Sequence, residues 1–275
     1  MKSNHIKLSK YAIEFLNGEL LGDGCLITHN ISAHYQHRTK HKLYLEWLSN
    51  KLESYGIEQV GRIYEYENPY KNYHYCSRRY VEFKEIYDKW YKNRIKIVPK
   101  DIELTPITIR QWYLGDGCLS RYKKYKSIMI NLATNSYTFD ENVMLIDKLS
   151  ELGFECYYRK DNSITISMYS VIDFLDYIGY CPKEIDSIYG YKWITLLENE
   201  HLYKKMRKRE FVKSTYQNKD WLLEQYIDKH KSIPKIGKEF NICPDSIWKG
   251  LKKFNIKRRQ DCIRRNTEVE IGTTS

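Results

Sequence analysis

The hexapeptide Leu21-Gly22-Asp23-Gly24-Cys25-Leu26 returns without change as Leu114-Gly115-Asp116-Gly117-Cys118-Leu119. The two aspartates stand 93 residues apart (116 − 23 = 93), about the length of one small domain. An apolar, helix-like run leads into each copy, from Tyr11 to Leu21 and from Ile107 to Leu114. A repeat of that period, with an acid at the same point, predicts two related halves that bring two carboxylates together.

The flanking patterns agree with duplication. Ile13, Leu16, Leu20 and Leu21 recur at helical spacing over residues 8–22, and Gly22–Gly24 supplies the stop. Gly18 and Gly22 lie four apart on one face. Each forfeits about 1 kcal/mol of helix propensity relative to alanine, which close approach of another backbone would offset. Alternation through Leu26, Thr28, Ile31, Ala33 and Tyr35 predicts a hairpin. A helix over 40–55 follows, then strands near 60–67 and 73–77 and a short helix over 81–91. The second half repeats the order, with strands near 118–122 and 126–133, a helix over 139–152, strands near 154–159 and 163–168, and a helix over 170–178. Each half reads αββαββα, which places the chain in the α+β class.

Composition narrows the function. With 42% hydrophobic residues and 26 tyrosines the chain can build a core. No window approaches the roughly 18 apolar residues of a membrane span, and no signal-peptide pattern opens it. A soluble intracellular protein with no membrane partner is expected. Seven cysteines stand singly with no C-x-x-C pair, which points to reduced thiols.

The net charge is +11, of which residues 201–275 supply +10 (19 Lys+Arg against 9 Asp+Glu). Three acid-free windows in the first 200 residues are basic nonetheless. One carries Arg38, Lys40 and Lys42 with four histidines, the next Lys71, Arg78 and Arg79, and the third Arg121, Lys123, Lys124 and Lys126. Basic, tyrosine-interleaved stretches suit a phosphate-contacting surface and predict a nucleic acid as partner; solvated lysine-rich loops are the bland alternative. His34, His37 and His41 have metal-like spacing, but no thiol follows in register. They read as part of a basic strand and helix start rather than a zinc site.

The tail differs. Lys204 to Lys213 reads as a basic connector, and residues 220–230 as an amphipathic helix. A short helix over 233–240, a turn at Asn241–Pro244 and a helix over 245–254 with Ile247, Trp248 and Leu251 inward have helix-turn-helix spacing. Lys249, Lys252 and Lys253 would then face DNA; a generic three-helix unit would show similar periodicity. The expected organisation is a first unit at 1–100, a second at 101–203, a basic linker at 204–218, a helix-turn-helix domain at 219–262 and a flexible tail at 263–275.

Asp23 and Asp116 each end a helix, where the macrodipole disfavours a carboxylate, and like charge across the seam disfavours both. A divalent cation resolves the conflict, since carboxylates, free helix-end carbonyls and DNA phosphates suit magnesium. Such an ion activates water and stabilises the leaving oxygen of a phosphodiester.

The chain here resembles the LAGLIDADG homing endonucleases in their single-chain, two-motif form, over about residues 8–200. The resemblance rests on Leu16-Asn17-Gly18-Glu19-Leu20-Leu21-Gly22-Asp23-Gly24 and Ile109-Arg110-Gln111-Trp112-Tyr113-Leu114-Gly115-Asp116-Gly117. Gln111 departs from the first small residue usual in the motif. Lys96-Ile97-Val98-Pro99 with Leu104-Thr105-Pro106 looks like the family's link between halves, the run Asn131 to Thr138 like its second-half strand-to-helix junction, and Tyr191-Lys192-Trp193 like its closing segment. The resemblance implies two pseudo-symmetric αββαββα units packed through their motif helices, each with a saddle-shaped antiparallel sheet for the DNA major groove. It also implies that Asp23 and Asp116 hold magnesium, assisted by the carbonyls of Gly22 and Gly115, with calcium supporting binding without cleavage. Lys96 and Lys192 would stand beside the scissile phosphates. The function it implies is a site-specific, free-standing homing endonuclease of a mobile element such as an intron, making a double-strand break. A non-cleaving DNA-binding regulator and an RNA-splicing maturase are the rivals.

Overall fold

The computed structural model describes residues 4–67, 71–122 and 127–256. Ser9 opens the first motif helix, α1 (Lys10–Leu21), by accepting from the Ala12 N–H, which satisfies one of the donors a helix start leaves free. The hairpin β1 (Cys25–His29) and β2 (Ser32–Thr39) follows, then α2 (Lys42–Ser54), β3 (Tyr64–Glu67), β4 (Lys71–Cys76) and α3 (Glu82–Trp90). These strands form one antiparallel sheet in the order β1-β2-β4-β3. A two-residue hairpin, β5 (Tyr91–Lys92) and β6 (Ile95–Lys96), leads to the link between halves.

The second half repeats this plan. Thr105 accepts from the Thr108 N–H and Pro106 occupies the first turn of α4 (Pro106–Asp116). Then come β7 (Gly117–Tyr122), β8 (Ser127–Leu132), α5 (Phe139–Glu151), β9 (Cys156–Tyr158), β10 (Ile164–Ile166) and α6 (Val171–Ile178). The sheet order β7-β8-β10-β9 matches the first half strand for strand. The αββαββα order expected from the repeat is therefore the observed one. The strand expected over 60–67 begins only at Tyr64; Gly61 at φ +65° turns the chain before it.

Alternation along the strands sets the core. Ala33, Tyr35 and His37 on β2 and Tyr73 and Tyr75 on β4 turn to the helices, as do Leu119, Ile128, Ile130, Leu132, Ile164 and Ile166 in the second sheet. The other face of each sheet carries no helix and is partly exposed.

The halves meet where α1 crosses α4. A Cβ placed on Gly18 would lie 2.6 Å from the Gln111 Cβ, and one on Gly115 would lie 3.3 Å from the Gly22 Cα. Thr108 Oγ1 donates to the Glu14 carbonyl (3.1 Å), and Tyr137 OH to that of Leu21 (2.8 Å).

After the short helix α7 (Asp186–Tyr189) the chain enters α8 (Leu196–Tyr216). The expected linker at 204–218 is thus helical through Tyr216. Thr195 and Glu198 cap the helix reciprocally, and residues 196–216 contain neither glycine nor proline. Two compact units divide within it, at 202/203.

The second unit has its own core of Leu222, Tyr226, Ile236, Ile242, Ile247 and Leu251. It comprises α9 (Lys219–Leu223), continued by a wider turn over 224–228, α10 (Ile233–Phe240) and α11 (Pro244–Lys253). Asn241 takes the left-handed conformation between the last two, at φ 55°. A Cβ on Gly237 would lie 2.8 Å from the Ile242 carbonyl oxygen, so the tight turn needs glycine there. Trp248, expected inward, is 36% exposed. Ile247, Gly250 and Leu251 share the inward face of α11, and Trp248 falls about 100° round from Ile247. Residues 257–275, which include the expected tail, lie outside the described residues.

Candidate active site

Asp23 and Asp116 stand at the adjacent ends of the two motif helices. Asp116 closes α4 and is partly buried, whereas Asp23 follows the α1 cap and is exposed. A Cβ on Gly115 would sit 3.2 Å from the Asp23 backbone nitrogen, so the two turns touch through glycine with little room for a side chain. Burial, and then the Asp23 charge, push Asp116 up to about 7, against the pull of Lys96 and Lys192.

Lys96 and Lys192 arrive from the ends of their respective halves and do the same thing. Lys96 Nζ donates to the carbonyls of Gly22 (3.1 Å) and Gly24 (2.8 Å). Lys192 Nζ donates to those of Leu114 (2.6 Å), Tyr113 (3.1 Å) and Gly115 (3.5 Å). Each ammonium therefore neutralises the negative end of its own motif helix. Burial lowers both lysines, Lys192 to about 8. Lys192 is only 4% exposed.

The carbonyls of Gly22 and Gly115, expected on a metal, thus already accept from lysine; each keeps a second lone pair. Among the described residues no cluster of three or more His, Cys, Asp or Glu side chains could enclose an ion. Two carboxylates that repel one another, backed by helix-end carbonyls, do fit magnesium, which takes few protein ligands and completes its shell with water and phosphate.

A buried polar group beneath the site escaped the sequence reading. Glu19, four residues before Asp23 and 2% exposed, accepts from Tyr35 OH (2.5 Å) and Tyr44 OH (2.6 Å), with His37 Nδ1 3.1 Å away. Tyr44 packs edge-on to Tyr189, over which Lys192 Nζ lies at 5.0 Å. Gly24 rests on this group, since a Cβ there would lie 2.7 Å from Tyr35 OH. Strand alternation, which puts His37 with Tyr35 on the inward face, was the available signal. His37 accordingly belongs to this cluster, while His34 faces outward and His41 packs against the Tyr189 ring.

The expected DNA-contacting cations separate into three groups. Arg38 lies on the outer face of β2 above the Tyr66 ring (5.9 Å), and Lys40 and Arg79 are exposed nearby in loops. Arg78, also exposed, pairs with Glu58 at 3.1 Å. On α11, Lys249, Lys252 and Lys253 are all exposed. Arg121 lies on the face of β7 that carries Leu119, opposite Ile128 in the register, and is exposed toward the end of the strand. Its guanidinium donates to Glu198 Oε1 (2.6 Å) and to the carbonyls of Tyr191 and Trp193 (3.0 Å each). It therefore clamps the segment that carries Lys192. Lys123, Lys124 and Lys126 lie outside the described residues.

Among known proteins, the chain is 32% identical over 155 residues to an uncharacterized protein of Methanocaldococcus jannaschii, covering 51% of this chain and 56% of that one. The match thus spans just over half of that relative. The fold is similar to that of the homing endonuclease I-WcaI bound to its DNA recognition sequence, with a TM-score of 0.59 and 23% identity, over 68% of this chain and 88% of that one. The full-length DUF199/WhiA protein of Thermatoga maritima gives a TM-score of 0.41 at 15% identity, over 88% of this chain and 89% of that one. Residues 13–176 match the LAGLIDADG DNA endonuclease family. With two motif helices meeting through Gly22 and Gly115 and a carboxylate at the end of each, the chain belongs to that family.

Proposed function

We propose that this protein is a monomeric, magnesium-dependent, site-specific endonuclease that cuts both strands of a long, asymmetric DNA target. The observation that carries this reading is the duplicated set of one carboxylate and one lysine at the adjoining ends of two helices. A regulator that only bound DNA would need neither the repelling carboxylates nor the buried ammonium groups, and an RNA-splicing maturase would need no cutting pair.

Asp23 and Asp116 would hold magnesium, with the second lone pairs of Gly22 and Gly115 as additional donors. Held there, the ion would supply Lewis-acid activation of a water and would neutralise charge on the leaving oxygen. Lys96 and Lys192 would hold positive charge beside the phosphates as the water oxygen bonds to phosphorus and gives up a proton to solvent, and the bridging P–O bond breaks with its oxygen taking a proton from solvent. The Glu19 group keeps the Gly22–Gly24 turn seated while this happens. One carboxylate–lysine set per half accounts for one cut per strand.

DNA would lie along the helix-free faces of both sheets, held by Arg38, Lys40, Arg78 and Arg79 through phosphates, while side chains between them meet base edges. α11 would extend the contact with Lys249, Lys252 and Lys253. Such a protein serves a mobile element, for instance by cutting an allele that lacks an intron.

A cleavage screen of random plasmid-borne sites with magnesium tests the reading. Cutting at one long site, abolished by Asp23→Asn with binding in calcium retained, is the expected result. Tight binding to one site with no cutting under any divalent metal would establish a regulator instead.

A further inference from the structure

The helix-free faces of the two sheets carry different chemistry. In the second sheet it is neutral and locked. Asn131 Nδ2 donates to Ser120 Oγ, and Thr165 Oγ1 donates to Asn131 Oδ1, both at 2.6 Å. The first sheet presents imidazoles: His29 on β1, His34 on β2 and His74 on β4. His74 Nε2 lies 3.3 Å from Gln36 Oε1, and Gln36 Nε2 donates to Cys25 Sγ at 3.2 Å.

His29 and His34 form a pair of their own. His29 Nε2 and His34 Nδ1 are 3.1 Å apart. The ring planes differ by 19°, with centroids 5.1 Å apart. The rings are thus nearly parallel and offset, with their facing nitrogens within hydrogen-bond distance. A shared proton then lies between them. A neutral imidazole carries one proton, so two neutral rings have a single proton left for the two remaining nitrogens, His29 Nδ1 and His34 Nε2. One of these is a donor and the other an acceptor. Their roles exchange only if both rings change tautomer together.

We propose that the His29–His34 pair reads two neighbouring base edges of the target as one unit, presenting one donor and one acceptor, so that sequence preference at those two positions is correlated. The inference rests on the reading that this sheet face meets DNA. Burial, and then the charges of His29, Arg79 and His74, lower His34 to about 4. His34 is therefore uncharged near pH 7. Major-groove edges of guanine and thymine offer acceptors only, cytosine offers a donor, and adenine offers both. A neutral pair satisfies an acceptor beside a donor, in either order. Two adjacent acceptor-only edges leave one lone pair facing another.

The full chain is presented with a random duplex library in calcium at pH 7.5, and bound sequences are counted. One adjacent pair of positions should show linked preferences. Its acceptor–acceptor combinations should be roughly tenfold rarer than the single-position frequencies predict. His29→Ala and His34→Ala should each keep the rest of the target and abolish the linkage, because a lone imidazole chooses its tautomer freely. His34→Gln, whose amide can rotate, should abolish it as well and guards against loss of folding. Independent preferences at every adjacent pair in the wild type, or linkage that survives both alanine substitutions, would overturn the inference while leaving the endonuclease reading intact. No enriched target at all would overturn both.

Discussion

Gln111 fills the space that a side chain at Gly18 would need: an added Cβ would lie 2.6 Å from the Gln111 Cβ and 2.4 Å from the Thr108 carbonyl oxygen. A position where one motif has glycine and the other a long side chain is thus where they interlock. Gly18→Ala should destabilise the protein by about 1–3 kcal/mol or more, since backbone is the obstacle. At Gly22, where an added Cβ meets Gly115 Cα at 3.4 Å, alanine should cost clearly less. Urea unfolding midpoints of the two variants check the order.

Gln111 itself is 1% exposed, and neither its Oε1 nor its Nε2 has a hydrogen-bond partner among the described residues. Gln111→Met keeps the volume and removes the buried amide. It should stabilise the fold by about 1 kcal/mol, read as a rise in melting temperature. A fall would mean that the amide has a partner in solution.

The folded protein holds Asp116 at about 7, above the ordinary carboxylate value near 3.9. Between those values the folded state binds more protons than the unfolded state, so metal-free stability is full below about pH 4 and falls as pH rises to 7. At roughly 1.4 kcal/mol per pH unit the loss is at most about 4 kcal/mol. Asp116→Asn should remove this slope, and magnesium should oppose it in the wild type. Denaturant titrations at pH 4.5 and 7.5 provide the measurement.

Lys192 behaves oppositely. Held at about 8, below the ordinary lysine value near 10.4, it loses its proton in the fold before it does in the unfolded chain. Its contribution to stability therefore rises between about pH 8 and 10. Lys192→Met should lack that rise relative to wild type and should lose cleavage, because the α4 carbonyls are left uncapped. The difference between the two stability–pH curves isolates the residue from the many tyrosines.

Replacing Lys249, Lys252 and Lys253 together with alanine should weaken DNA binding and reduce the salt slope, log K against log [salt], by about 3 if all three meet phosphates. Gel-shift titrations across salt concentrations give the slope. An unchanged slope would remove α11 from the interface.

Duplication made the architecture legible, because an unbroken six-residue repeat, the element order around it and its spacing are all properties of the linear chain. Lys96 and Lys192 were reachable only through the resemblance; their capping of helix ends appears only in three dimensions. The hold of Arg121 on Glu198 and on the Tyr191 and Trp193 carbonyls was not legible, because it joins residues 70 or more apart in the chain. Glu19 looked like an ordinary helix acid, since the tyrosines that bury it belong to another strand and another helix. The His29–His34 pair depends on a hairpin register that sets His29 opposite Ser32 and His34 opposite Ile27, so the two meet diagonally, which spacing alone does not reveal.

The lysine caps have a bearing on how such a protein is born. Lys96 follows Asp23 by 73 residues (96 − 23), and Lys192 follows Asp116 by 76 (192 − 116). Each half is therefore finished by the last cation it contributes, and the two finish in order. A nascent chain on the ribosome carries one completed half for nearly a hundred further residues before the second closes. Translation that stops before residue 192 therefore releases a chain whose second motif helix lacks its lysine cap, and only the completed chain carries both caps.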